Sequence, residues 1–249
     1  MSFATKSSWY CLRLPAVAAA LAFLVAVAPP ALQAAAEPPG QEPSVTEGGS
    51  YSGISLAYMD TAAINTILDR SGWTVPRFDQ GPLFVWTSGG GGQVGPVRLG
   101  FTFGFGTRSQ RDNSQETASS LTVYRGDLRA DYVLPTGLGR RPDRPDGALA
   151  LFAGAGLGVA YGALRIEQPL PLDPGEEVPA FRESDRWLIT AGPALGILFT
   201  PSSLAYVELS ASYTYPFPLG GPRKDEPLDP GGALLRGLTV NLGLMLADF

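Results

Sequence analysis

The 249-residue chain contains no histidine and a single cysteine, and charged residues make up only 16% of it. Without histidine it lacks the usual general base near neutral pH and the commonest metal ligand. Ser-His-Asp catalysis and histidine-containing zinc sites are excluded. One cysteine cannot close an internal disulfide. Cys11 also precedes the first apolar run, so it does not stand where a lipid-bearing cysteine at a cleavage site would.

What is present begins with MSFATKSSWYCLR, which carries Lys6 and Arg13 and no acid. Residues 14–28 form an apolar run, followed by Pro29-Pro30 and ALQAAAE. Basic start, apolar middle and Ala-x-Ala end make residues 1–36 an expected secretory signal peptide, cleaved after Ala36. The alternative, a retained anchor helix, is disfavoured because the run is short for a span of ~20 residues and prolines interrupt it. The remaining 213 residues carry 16 basic and 23 acidic side chains, a formal charge of −7. That balance argues against a nucleic-acid partner. An exported chain without disulfides is then expected to rely on a large sheet or a bilayer.

Residues 37–50 (EPPGQEPSVTEGGS) read as a flexible linker. From Tyr51 the pattern turns to a period of two, the signature of a strand whose faces meet different surroundings. Ile54, Leu56 and Tyr58 alternate with Gly53, Ser55 and Ala57. Val97, Leu99, Phe101, Phe103 and Phe105 alternate with Arg98, Gly100, Thr102, Gly104 and Gly106. Similar alternation runs through LTVYRGDLRADYVL, DRWLITAGPALGILFT, LAYVELSASYTY and LTVNLGLML, while PLFVWTSG (82–89) alternates less cleanly.

The stretch GALALFAGAGLGVAYGALRI (147–166) admits three readings: a spanning helix, a glycine-rich nucleotide loop, or a strand. Leu149, Leu151, Ala153, Ala155, Leu157, Val159 and Tyr161 share one parity, and Gly154, Gly156, Gly158, Ala160 and Gly162 the other. A helix would scatter the glycines, each costing up to ~1 kcal/mol against alanine. A dinucleotide loop needs a helix after it and an acid about 20 residues on; no amphipathic helix follows. The strand reading stands, with glycines facing a crowded space. It predicts that Leu157→Arg cripples membrane insertion while a small polar residue at Gly158 is tolerated.

Eight strands are expected, near 52–59, 82–89, 94–107, 119–134, 147–167, 185–200, 203–215 and 234–249. The connections 60–81, 108–118, 168–184 and 216–233 are long. GGGQ at 90–93 and Pro201-Ser202 are expected tight turns, and 135–146 is intermediate. An even strand count puts both termini beside the short turns, the plan of a transmembrane barrel with short periplasmic turns and longer external loops. Here residues 51–249 resemble the small OmpA/OmpX-type outer-membrane barrels of Gram-negative bacteria. The resemblance implies an all-β, antiparallel up-and-down barrel in the outer membrane, with outer-membrane lipid around it and a loop-bound surface partner. Such barrels typically finish on an aromatic residue in phase with the lipid-facing positions; Phe249 is terminal but opposes Leu242, Leu244 and Leu246 in parity. A bulge near Ala247-Asp248 or an imperfect assembly signal would explain it. The rival, a soluble lipocalin-like barrel, would carry Lys and Glu on its outer face. The faces here are mostly Gly, Ala, Ser and Thr, and aromatics (Trp73, Trp86, Tyr132, Tyr161, Trp187, Tyr213, Tyr215) cluster near strand ends as membrane girdles do.

Three constellations are candidates for chemistry. Arg98, Arg125, Asp127, Arg129, Asp131, Arg186 and Glu208 fall on the small-residue faces and would share the lumen. A hairpin centred near Asn113 would set Arg98 beside Asp127 or Arg129. They form either an internal network filling the barrel or an ion path; an eight-stranded interior is only just wide enough for its own side chains, which favours filling. DTAAINTILDRSGW (60–73) predicts a short helix, with Asp60 or Thr61 capping it, Gly72 ending it, and Ala63, Ile64, Ile67 and Leu68 on one face. It packs on the barrel mouth or serves a membrane surface or partner. PLDPG at 171–175 and 227–231 predicts two type II turns with acidic tips. Calcium prefers such oxygens, but no EF-hand spacing is present, so a solvated turn is expected and no metal site. Enzymatic outer-membrane barrels such as lipid A deacylases, phospholipases and omptin-like proteases share the plan, but as families rely on a histidine absent here. A cofactor-free, non-enzymatic barrel with a structural or surface role through its loops is expected; a narrow pore is the alternative.

Overall fold

The computed structural model describes residues 45–136, 138, 148–173, 176–202, 205–220 and 235–247. The expected signal peptide, Phe249, the second PLDPG and the Pro174-Gly175 tip of the first lie outside these residues.

The alternating segments are eight strands: β1 (Val45–Met59), β2 (Leu83–Val94), β3 (Val97–Asp112), β4 (Thr117–Pro135), β5 (Ala148–Asp173), β6 (Glu176–Ser202), β7 (Ala205–Pro218) and β8 (Gly237–Ala247). Each pairs antiparallel with its sequence neighbours, and β8 pairs with β1 to close the barrel. A row of paired residues from Trp187 through Tyr161, Tyr124, Phe105, Trp86, Ile54, Leu242 and Leu209 returns to β6 at Ile197, ten residues from its start. That stagger over eight strands tilts them by roughly 40°.

Closure fixes the faces. Phe101, Phe103, Leu128, Leu195, Leu209, Leu242 and Leu244 are exposed on the outside, an apolar belt that water would not favour. The Phe105, Tyr124, Tyr161 and Trp187 rings form a continuous outer row with centroid separations of 4.9, 6.2 and 5.2 Å. On β6, Trp187 and Phe199 bracket the belt, a height of about 30 Å at that tilt.

Several boundaries differ from the sequence reading; Pro201-Ser202, expected as a tight turn, is the end of strand β6. β1 starts at Val45, inside the expected linker, because Gly48–Ser50 pair with Gly90–Gly92 of β2. The GGGQ segment is strand; the chain turns at Gly95-Pro96 instead, where Gly95 holds φ +56° as the first residue of a two-residue hairpin turn must. The 108–118 and 168–184 connections are mostly strand, since β3 runs to Asp112, β4 starts at Thr117, and β5 and β6 reach Asp173 and Glu176. Beyond the belt the outer face meets water, so a strand there shows no apolar alternation, although Thr117 and Ser119 are buried on the inner side. β2 alternates poorly because Phe84 and Trp86 face out while Leu83 and Val85 are buried inside.

That inner apolar surface belongs to a core at the loop end. The helix α1 (Thr61–Arg70), capped by the Asp60 carboxylate accepting from the Ala63 N–H at 3.0 Å, buries Ile64 and Leu68 against Leu83, Leu121, Leu164 and Leu188. Gly72 (φ +76°) follows the Ser71 C-cap. The return segment is strapped down. The Asn65 amide both donates to the Phe78 carbonyl and accepts from its N–H, each at 2.8 Å, and Ser119 Oγ donates to the Pro76 carbonyl at 2.6 Å. Of the two places offered for this helix, it occupies the barrel mouth.

Candidate functional site

Below that core the interior is polar, and two adjacent strands explain how. Inward positions of β4 carry Arg125, Asp127, Arg129 and Asp131; their partners across the ladder on β5 are Ala160, Gly158, Gly156 and Gly154. The glycine face is the space into which the charged face folds. A Cβ on Gly158 would collide with the Asp127 carboxylate and the Gly126 carbonyl, and one on Gly154 with Asp131 and the Ala130 carbonyl.

Arg98 of β3, Arg129 and Asp131 of β4, and Glu208 from β7 across the lumen form a closed ring of ion pairs. Arg98 donates from Nε (3.0 Å) and Nη2 (2.6 Å) to Asp131 and from Nη1 to Glu208 at 2.8 Å. Arg129 donates from Nε to both Asp131 oxygens and from Nη1 to Glu208, all at 2.8 Å. Two cations thus meet two anions, with all four carboxylate oxygens engaged. The Phe152 ring lies against both guanidinium groups, 4.5 Å from the Arg98 Cζ and 4.6 Å from that of Arg129. Arg98, Asp131 and Glu208 are buried.

Arg125 and Asp127 pair separately through Nε to Oδ2 at 2.6 Å, and Thr190 Oγ1 donates to the other Asp127 oxygen at 3.3 Å. Arg186 is also buried, nearer the loop end, opposite Gly162. The seven expected residues therefore all line the lumen but at different levels. Arg98 sits opposite Asp131, not Asp127 or Arg129, because the hairpin turns across 113–116 and shifts the register by three residues from one centred on Asn113.

The sequence reading passed over Phe152, although it is the one large side chain among the small inward residues of β5 between Ala150 and Gly162. It also missed a hydroxyl–amide chain in which Ser55 donates to Asn241 at 2.5 Å and Asn241 to Ser210 at 3.3 Å. The ion ring separates two cavities. One of about 70 Å³ lies between it and the loop-end core, bordered by Arg125, Arg129, Thr87 and Asn241. The other, about 390 Å³, opens toward the short turns between Arg98, Glu208, Leu198 and Tyr206. Among the described residues no group of three acidic or cysteine side chains could hold a metal; the acidic PLDPG tips are outside that statement.

No protein-family model matches the chain, and no curated protein matches it. Among solved structures it is similar to Ail, the attachment invasion locus protein of Yersinia pestis, at 11% identity over 82% of this chain and 99% of that one, with a TM-score of 0.45. It is also similar to Neisserial surface protein A at 10% identity, over 81% of this chain and 95% of that one, with a TM-score of 0.43. The N-terminal β-barrel domain of Pseudomonas aeruginosa OprF aligns at 11% identity over 82% of this chain and all of that one, with a TM-score of 0.37.

Proposed function

We infer that this is an exported, non-enzymatic outer-membrane barrel of a Gram-negative bacterium, with a structural role or a surface role through its loop end. Its leader, residues 1–36, is removed after Ala36; its surroundings are outer-membrane lipid; its partner, if it has one, binds the loops and is not a nucleic acid. No cofactor is called for, and the lack of histidine speaks against hydrolytic chemistry. The observation that carries this reading is an apolar belt around a filled interior. The loop end holds α1 and the buried leucines, and the level beneath holds a charge-balanced ion ring.

The two cavities in series favour the other reading, a narrow pore. Planar-bilayer recording of the purified barrel, with fractionation of the cell envelope, separates the two. The filled-barrel reading expects outer-membrane sedimentation and no steady current. Steady wild-type openings whose ion selectivity changes in Arg129→Glu would overturn it in favour of the pore.

A further inference from the structure

The 70 Å³ chamber holds two buried donors that the described residues do not answer. Thr87 Oγ1 and Arg129 Nη2 are buried there with no hydrogen-bond partner among the described residues. Thr87 is 7% exposed. Arg125 also borders the chamber, and among the described residues only its Nε meets a protein acceptor. The carboxylate and amide acceptors beside these groups are already used, which leaves only hydroxyls, the Tyr51 hydroxyl beside Thr87 among them. Both Asp127 oxygens receive Arg125 or Thr190, and those of Asp131 and Glu208 receive the ion ring. The Asn241 carbonyl oxygen receives Ser55.

We propose that this chamber is a binding site for a small monovalent anion of the halide class, held between the Arg129 Nη2–H groups, the Thr87 hydroxyl and the outer guanidinium edge of Arg125. Unanswered N–H and O–H groups lining a narrow space inside the barrel suit an acceptor without donors of its own. The volume is that of about two water molecules in the liquid, enough for one halide and a single water. A doubly charged oxyanion fits poorly, because desolvation rises with the square of the charge. The site does not depend on whether the barrel conducts.

The test is crystallographic, on the full barrel refolded and crystallised in sodium bromide, so that access to the lumen is not limiting. One anomalous bromide peak in contact with Arg129 Nη2 and Thr87 Oγ1 is expected, and it should persist when sodium sulfate is added at equal concentration. Thr87→Ser should keep it, and Thr87→Val should weaken occupancy about ten-fold, the loss of one hydrogen bond to a charged group. Ordered water with no anomalous signal, displacement by sulfate, or an undiminished peak in Thr87→Val would each overturn the proposal. Should the valine variant not fold, the wild-type peak and the sulfate competition still decide it.

Discussion

Substitutions along four neighbouring positions of β5 probe both faces of the barrel wall. Leu157 lies on the outer face of the wall, four residues and about 10 Å of height below the Tyr161 ring row. Arginine there sits near mid-belt and costs ~2–4 kcal/mol. The glycines beside it are not equivalent. At Gly156 the nearest atom to an added Cβ is the Leu128 carbonyl oxygen at 3.6 Å, an ordinary contact. Gly156→Ala is therefore expected to be neutral or to stabilise by about 0.4–1 kcal/mol through the unfolded chain. At Gly154 and Gly158 the added methyl meets backbone carbonyls of β4 as well as Asp131 and Asp127. Backbone cannot yield as a flexible side chain does, so β4 and β5 must shift and strain the ion pairs. Overpacking of this kind costs about 1–3 kcal/mol, with more from any ion pair that is lost. The tolerance expected from sequence at Gly158 thus belongs to Gly156. Urea unfolding of barrels refolded in liposomes, followed by tryptophan fluorescence and heat-dependent gel mobility, would rank the four. Gly156→Ala as damaging as Gly158→Ala, or a harmless Leu157→Arg, would refute the assignment of faces and the packing argument together.

Removing Glu208 as Glu208→Ala leaves Arg98 and Arg129 each short of an acceptor and is expected to cost about 3–5 kcal/mol in the same unfolding assay; an unchanged midpoint would mean the ring does not hold the barrel. Asn65→Ala deletes both bonds to Phe78 and should speed amide exchange at Phe78 by about ten-fold or more, measured by hydrogen–deuterium exchange, while the β4–β5 ladder keeps its protection. Peptide mass mapping of the protein recovered from membranes is expected to start at Glu37; a peptide beginning at Met1 would overturn the export reading.

The strands were legible wherever the apolar outer belt and the polar lumen impose opposite demands on alternate residues. Leu242, Leu244 and Leu246 against Asn241 and Gly243 need no structure to be read as a two-faced wall. Legibility failed where that contrast is lost. Outside the belt, Ser109 to Asp112 and Thr117 to Ser120 meet water on their outer side and carry small or charged residues throughout, so a hairpin resembled a loop. At the mouth, Leu83, Val85, Leu121 and Val123 face inward as apolar residues, because α1 supplies an apolar surface there instead of a polar lumen. The lumen charges could be assigned to one face by parity alone. Which of them touch was not legible, since Glu208 reaches Arg98 across 110 residues and the hairpin register depended on where a four-residue turn is centred.

The composition of the lumen wall also answers a constraint that precedes packing. A segment of about twenty residues that is apolar on both faces satisfies the length and hydropathy of a spanning helix. β5 carries one charge between residues 147 and 166 and comes close to that description. Placing glycine at 154, 156, 158 and 162 lowers its helical propensity by up to ~1 kcal/mol at each position. The same glycines make a groove only as deep as a backbone, and β4 fills it with Arg125, Asp127, Arg129 and Asp131. Filling it with leucines on β5 instead would pack the lumen equally well but make the segment a helix candidate. The charges on β4 in turn meet Arg98 on the neighbouring strand, but their second anion, Glu208, comes from β7 across the lumen, so the ion ring is complete only once the sheet has curled into the barrel.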